Sequence, residues 1–412
     1  MEAAAILTLI LFIISFDFIL EQVLDYLNLK HQKSELPATL KGIYEEEEFK
    51  KSVEYNRVQT RFSFLTSTFS FIISFTLLAT GLFGGIDEWL RLYFENPVWL
   101  ALAFYGVLYL ASDIINTPFQ LYSTFVIEEK FGFNKTTGKT FIADKIKGYL
   151  LTILIGGGII TLLLWLILNL GVNFWWYFWI AISAFILFIN MFYTSLIVPL
   201  FNKLTPVEQG DLKHAIETYC SSVKFPLDNI FIIDGSKRST KANAFFSGIG
   251  KKKKIVLYDT LIKNHSQEEL VAVLAHEVGH FKKKHIVSGF ALSIAQVGIM
   301  LFIMSRMIFS PELSLALGAE QLGIHLNLLA FGILYSPITK VLGLIMNQIS
   351  RKNEYEADSY ATTSYNGDAL SEALKKLSVN NLSNLNPHPW YVFFNYSHPP
   401  LLKRLNAIRL AK

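Results

Sequence analysis

The chain has 412 residues, of which 52% are apolar and only 17% charged, with a net charge of +4 and a mean hydropathy of +0.38. A soluble domain carries about 25% charged residues, so this composition excludes an ordinary soluble globule and a disordered chain. The small net charge gives no argument for nucleic acid, and a lone cysteine, Cys220, excludes a disulfide framework and any cysteine-rich metal site.

A helix needs about 20 apolar residues to cross a bilayer. Seven stretches read as such spans, at approximately 4–20, 63–84, 98–118, 149–170, 174–200, 286–309 and 320–348. The first lacks the basic start and small-residue cleavage site of a signal peptide. The fourth is interrupted only by Gly156–Gly158 and Asn169. Lysine and arginine alternate between the connections, with seven in 30–62, one in 85–97, five in 119–148, none in Gly171–Asn173, fourteen in 201–285 and none in 310–319. Positive charge marks the cytoplasmic side, so the N-terminus is expected outside, with every large connection and the C-terminal tail in the cytoplasm. Trp175, Trp176, Tyr177 and Trp179 read as an interfacial belt.

The polar insertion 201–285 begins with a helical pattern from Pro206 to Val223. Residues 229–234 and 254–259 read as strands, with 243–248 between them and turns at Asp234-Gly235-Ser236 and Gly248-Ile249-Gly250. The basic run Lys251–Lys254 reads as a solvated turn or a contact with anionic headgroups, and Glu45–Glu48 as a solvated face. Ser266 and Glu269 form a capping-box pattern that opens the next helix. The expected fold is mainly α, a polytopic membrane protein with a small α+β cytoplasmic insertion. It divides into 1–200 with five spans, the insertion 201–285, two further spans in 286–349 and a cytoplasmic segment 350–412.

The helix after Ser266 carries His276-Glu277-Val278-Gly279-His280. Histidines at i and i+4 share one helix face and reach one ion, and imidazole suits Zn²⁺. Glu277 lies about 100° round the helix from His276, placed to meet a water at the metal and act as its base. Glycine at 279 points to close packing there. A catalytic zinc takes three protein ligands, so a third must come from elsewhere. Glu354 and Asp358 are again i and i+4, so one can bind the metal while the other orients a ligand histidine. The other reading of Glu354 is a surface carboxylate paired with Arg351 or Lys352. His398, followed by two prolines, is held in a turn, either as a structural loop or as an imidazole beside the oxyanion of a tetrahedral intermediate. Arg404 could hold a carboxylate or phosphate. His285, His325 and His388 read as structural, since none has a partner at metal spacing.

Eight blocks together resemble the type I CAAX prenyl endopeptidase family of integral-membrane zinc metallopeptidases. They are EEFKKSVEYNRVQTRFS (47–63), LYSTFVIEEKFGFN (121–134), FNKLTPVEQGDLKHAIE (201–217), IDGSKRSTKANAFFSG (233–248), KIVLYDTL (254–261), AHEVGH (275–280), NEYEAD (353–358) and YSHPPLLKRL (396–405). The resemblance implies seven transmembrane helices around a water-filled chamber, closed by a gluzincin-like site with one Zn²⁺ per chain. It makes His276, His280 and Glu354 the ligands, Glu277 the base and Asp358 the aspartate that orients a ligand. It puts Asn243 and Ala244 on an edge strand that pairs with an extended peptide, and His398 and Arg404 at the active site, His398 beside the scissile carbonyl. The implied function is hydrolysis of peptide bonds in membrane-associated or prenylated proteins at the lipid bilayer. That means removal of the last three residues after a prenylated cysteine, or clearance of damaged membrane proteins. The short loop at 261–268 resembles prokaryotic members and so implies an inner membrane. Two alternatives are a heat-shock-type membrane zinc protease and a transporter or lipid-handling protein with a structural zinc, in which Asp113 marks a pathway.

Overall fold

The computed structural model describes residues 2–32, 35–36, 41–42, 45–247 and 253–411. The turn Gly248-Ile249-Gly250 and the lysines Lys251 and Lys252 of the basic run lie outside the described residues.

The apolar half is helical from the start: α1 (Ala3–His31), α2 (Glu46–Ala79), α3 (Leu82–Arg91) and α4 (Pro97–Tyr122), then α5 (Gly138–Leu151), α6 (Gly157–Leu170), α7 (Phe174–Leu196) and the short α8 (Val198–Phe201). Asn96 caps α4 by accepting from the backbone N–H groups of Val98 and Trp99, as expected of an Asn followed by Pro at the first helical position. Six helical runs among the described residues are long and apolar enough to cross a membrane. One of them, Gly138–Phe201, is 64 residues long. It breaks at Gly171, whose φ of +53° ends α6, and α6 and α7 then share a core of Leu164, Ile167, Phe174 and Phe178. A π-helical turn at Thr152–Gly156 between α5 and α6 ends on the first glycine of the triplet, and the other two open α6.

The second expected span, 63–84, ends earlier, at Ala79. The reason is tertiary. Gly81 takes a left-handed φ of +68°, and a Cβ on Gly84 would lie 2.1 Å from the Gly318 backbone. Two stretches of backbone meet there with no room for a side chain. The last expected span likewise starts later than 320, at Ile324, because the chain from Leu317 to Gly323 forms that contact and its turn.

The polar insertion forms β1 (Leu204–Pro206), α9 (Asp211–Ser222), β2 (Leu227–Ile233), β3 (Ala244–Ser247) and β4 (Lys253–Tyr258). The sheet order is β1-β2-β4-β3, so β3 is an edge strand. It runs antiparallel to β4 in the register Ala244↔Leu257. The helical pattern expected from Pro206 begins only at Asp211, because residues 204–206 pair with 231–233 as the other edge strand. The short α10 (Asp259–Asn264) leads to α11 (Gln267–Lys282), which opens with the Ser266–Glu269 capping box in full. One core packs α9, the sheet and α11 together through Ile216, Tyr219, Ile255, Leu257, Val271 and Leu274.

The remaining elements are α12 (His285–Met307), α13 (Pro311–Ala316), α14 (Ile324–Ala361), α15 (Gly367–Asn380), α16 (Pro389–Asn395) and α17 (Leu401–Leu410). The long α14 begins as an apolar helix and continues past residue 348 as a polar one. His325 pairs with the fully buried Asp87 of α3 at 2.9 Å, and His388 caps α16. Overpacking typically costs about 1–3 kcal/mol. Gly84→Val, aimed at backbone that cannot swing aside, is expected at or above the top of that range, read as a lowered melting temperature in detergent.

Candidate active site

Ten residues of α11, including Leu270–His276, are buried. That burial fixes the rotation of the helix, which turns His276 and His280 toward α14. Gly279 faces the same way. A Cβ there would lie 3.0 Å from the Ala357 backbone, so the glycine lets the two helix backbones cross closely. Ala357 lies between Glu354 and Asp358 on α14, three residues after the first and one before the second, so the crossing brings both carboxylates against the histidines.

His276 Nε2 lies 3.1 Å from His280 Nε2, and Glu354 lies 3.5 Å from the first and 3.2 Å from the second. One donor atom from each of these three residues falls within 4.8 Å of the others, the only group of that kind among the described residues. Arg351 donates to the carbonyls of Val392 and Tyr396, and Lys352 pairs with Glu356. Glu354 therefore turns inward, not to a surface cation, and is buried. Its Oε2 accepts no hydrogen bond, although an Arg404 nitrogen stands 3.2 Å away. An orphaned carboxylate oxygen beside two imidazoles is what a divalent cation would satisfy, and the N/O donor set fits Zn²⁺.

Asp358, 1% exposed, accepts from His276 Nδ1 at 2.8 Å. It also takes both arms of the Arg404 guanidinium, at 2.8 and 2.7 Å. Arg404 comes from the first turn of α17, after the Ser397–Pro400 turn that carries His398. His398 is largely exposed, with Nε2 3.4 Å from Glu354 Oε1 and Nδ1 at 2.9 Å from Ser397 Oγ. Glu277, partly buried, lines a cavity of about 350 Å³ with His276, His280, Glu354, His398 and Arg404. Asn243 and Ala244 line it too. Asn243 immediately precedes β3 and its carbonyl accepts from Tyr258 N–H.

Two groups escaped the sequence reading. Lys241, two residues before Asn243, donates to Tyr55 and Glu128, each at 2.9 Å. That network ties the approach to β3 to α2 and to the π-helical turn Ser123–Glu128. It joins three of the eight blocks, a pairing that spacing along the chain does not reveal. His285 is the second: it stands 3.0 Å from His280, where a purely structural role was expected. Asp113, by contrast, is engaged by Lys145, Thr117 and Tyr149, an internally satisfied cluster.

Burial pushes the His280 imidazole down, but its hydrogen bond to Glu354 and that group's charge outweigh this, so its pKa sits above the ordinary imidazole value. For a metal held here, protons would compete for this imidazole, and affinity would fall as pH falls. Zinc titrations are expected to weaken already above the ordinary imidazole pKa of about 6.5. Asp358→Ala is expected to lower zinc affinity by about 10–100-fold. Gly279→Leu, which drives α14 away, should abolish stoichiometric zinc in metal analysis.

A family model described as CAAX prenyl protease N-terminal, five membrane helices, matches residues 25–203, and one for peptidase family M48 matches residues 206–412. The chain is similar to CAAX prenyl protease 1 of Saccharomyces cerevisiae, 34% identical over 405 residues covering 92% of this chain and 89% of that protein. It is also similar to the CAAX prenyl protease 1 homolog of Oryza sativa subsp. japonica, 37% identical over 385 residues covering 90% of each. The crystal structure of S. mikatae Ste24p superposes with a TM-score of 0.93 at 34% identity, covering 98% of this chain and 99% of that one. With both halves matched and relatives above 30% identity along nearly the whole length, this membrane-embedded chain belongs to the CAAX prenyl proteases of peptidase family M48, a family of metallopeptidases.

Proposed function

We propose that the chain is a zinc endopeptidase that cleaves prenylated or other membrane-associated proteins near an extended end. The observation that carries this is one cavity lined by His276, His280, Glu354 and Glu277 and also by Asn243 and Ala244, at the start of a sheet-edge strand. His276 and His280 would hold the ion through Nε2 and Glu354 through its carboxylate. Bound there, Zn²⁺ supplies Lewis acidity, which lowers the pKa of a water and polarises a carbonyl.

The chain's own residues do the rest. An extended peptide adds to β3 by main-chain hydrogen bonds, which read backbone shape more than sequence. Glu277 takes the proton of the attacking water and hands it to the leaving amine. His398, exposed in its proline-flanked turn, donates from Nε2 toward the oxyanion as it develops. Asp358 and Arg404 hold His276 in the tautomer that leaves Nε2 free.

We count seven spans around a chamber, taking the Gly138–Phe201 run as two because of the break at Gly171. The lysine and arginine distribution supports an N-terminus outside and the active site facing the cytoplasm. The short connection from β4 to α11 supports a compact, prokaryote-like member in an inner membrane. The eukaryotic sources of the relatives weigh the other way. A structural zinc has four protein ligands, and the three-residue donor set speaks against the transporter reading, as does the satisfied Asp113. The length of the match speaks against a heat-shock-type protease.

The reading is tested by cleavage of a farnesylated C-terminal CAAX peptide and of its unmodified counterpart by the purified, zinc-loaded protein. Wild type is expected to cleave the farnesylated peptide. Glu277→Gln is expected to keep its zinc while losing about 10²–10⁴-fold in rate. Equal rates for the variant and wild type would refute the assigned base.

A further inference from the structure

His285 and Glu356 lie outside the ligand set, yet both are drawn to it. We propose that they form an outer relay that fixes the orientation and tautomer of His280. The proposal rests on the ligand assignment above.

Both ligand histidines turn Nε2 toward each other and toward Glu354. Their Nδ1 atoms face outward. For His276 that outward atom meets Asp358. For His280 it meets His285 Nδ1 at 3.0 Å. A neutral imidazole that gives Nε2 to a metal carries its hydrogen on Nδ1, so His280 Nδ1 is the donor. His285 Nδ1 must then accept, which leaves the His285 proton on Nε2. That atom lies 3.1 Å from Glu356 Oε2, a carboxylate able to receive it. Every donor in this His280–His285–Glu356 relay has an acceptor and the assignment has one consistent solution. Each ligand histidine is thus backed by a carboxylate, directly for His276 and through one intervening ring for His280.

Backbone geometry is bent to make this contact. Five residues along a continuing helix would turn His285 about 140° away from His280. Instead Lys284 adopts a left-handed φ of +61°, and α12 starts at His285 in a new direction. A left-handed backbone is unfavourable for a residue with a Cβ such as lysine. Such strain is kept where surrounding structure requires it. His285 is itself buried, while Glu356 is open to a surface cavity of about 300 Å³ with Lys283, Lys352 and Tyr360.

The test uses the full-length protein in detergent, loaded with zinc, and follows release of the metal to a chromophoric chelator. In His285→Asn the side-chain oxygen takes the place of Nδ1 and restores the acceptor. In His285→Gln the amide reaches instead to the place of Nε2, and His285→Leu has no acceptor. We expect zinc release to quicken about 10–100-fold in the Leu and Gln variants and to stay near wild type in the Asn variant. Melting temperatures of the metal-stripped proteins control for packing. The proposal is overturned if the Leu variant releases zinc at the wild-type rate, if Asn and Leu release it equally fast, or if release follows the stripped-protein melting temperatures alone. Wild-type protein without stoichiometric zinc would instead overturn the ligand assignment itself.

Discussion

The site depends on the contact of α11 with α14 at Gly279 and Ala357. Two helices carry the three proposed metal donors, and their separation sets whether those groups meet. With no side chain at 279, the backbones approach until a Cβ would touch. The crossing point stands one residue before His280 and one residue before Asp358, so the histidine pair and the carboxylate pair are registered at once. The burial of α11 against α9 and the sheet then prevents rotation about its own axis.

A second constraint is charge. Glu277, Glu354 and Asp358 are three carboxylates gathered round one guanidinium, Arg404. With neutral imidazoles the cluster carries two excess negative charges, and a divalent cation brings it to neutrality. Burying unpaired charge is among the most unfavourable things a fold can do. Arg404 offsets the portion that the ion does not. Its bidentate grip on Asp358 also leaves that carboxylate little freedom to take any other place in the cluster.

Much of this was legible in the sequence because it is local. The capping box, the histidine pair, the two longer strands and the apolar runs each follow from residues a few positions apart. What was not legible is what distant segments decide together. The three-residue β1 contains Pro206 and gives no strand signal by itself. The end of α2 is set by Gly318, more than two hundred residues away. Spacing left Glu354 divided between ligand and surface carboxylate, because only the crossing with α11 tells them apart. His285 sits five positions after His280, a spacing that means nothing on a straight helix and acquires meaning only once the chain bends at Lys284. His398 and Arg404 gained their roles from the resemblance, not from composition.

Among the described residues the edge strand β3 runs over Ala244–Ser247, about 13 Å of backbone at strand rise. A guest laid along it must already be unravelled over that distance, since helical or tightly folded segments present no free row of amides. Chain ends and loosened stretches qualify, and the interior of an intact neighbour does not. On the proposed pairing with β3, the demand for an extended guest works as a proofreader of conformation, sparing well-folded bilayer residents without any need to recognise them.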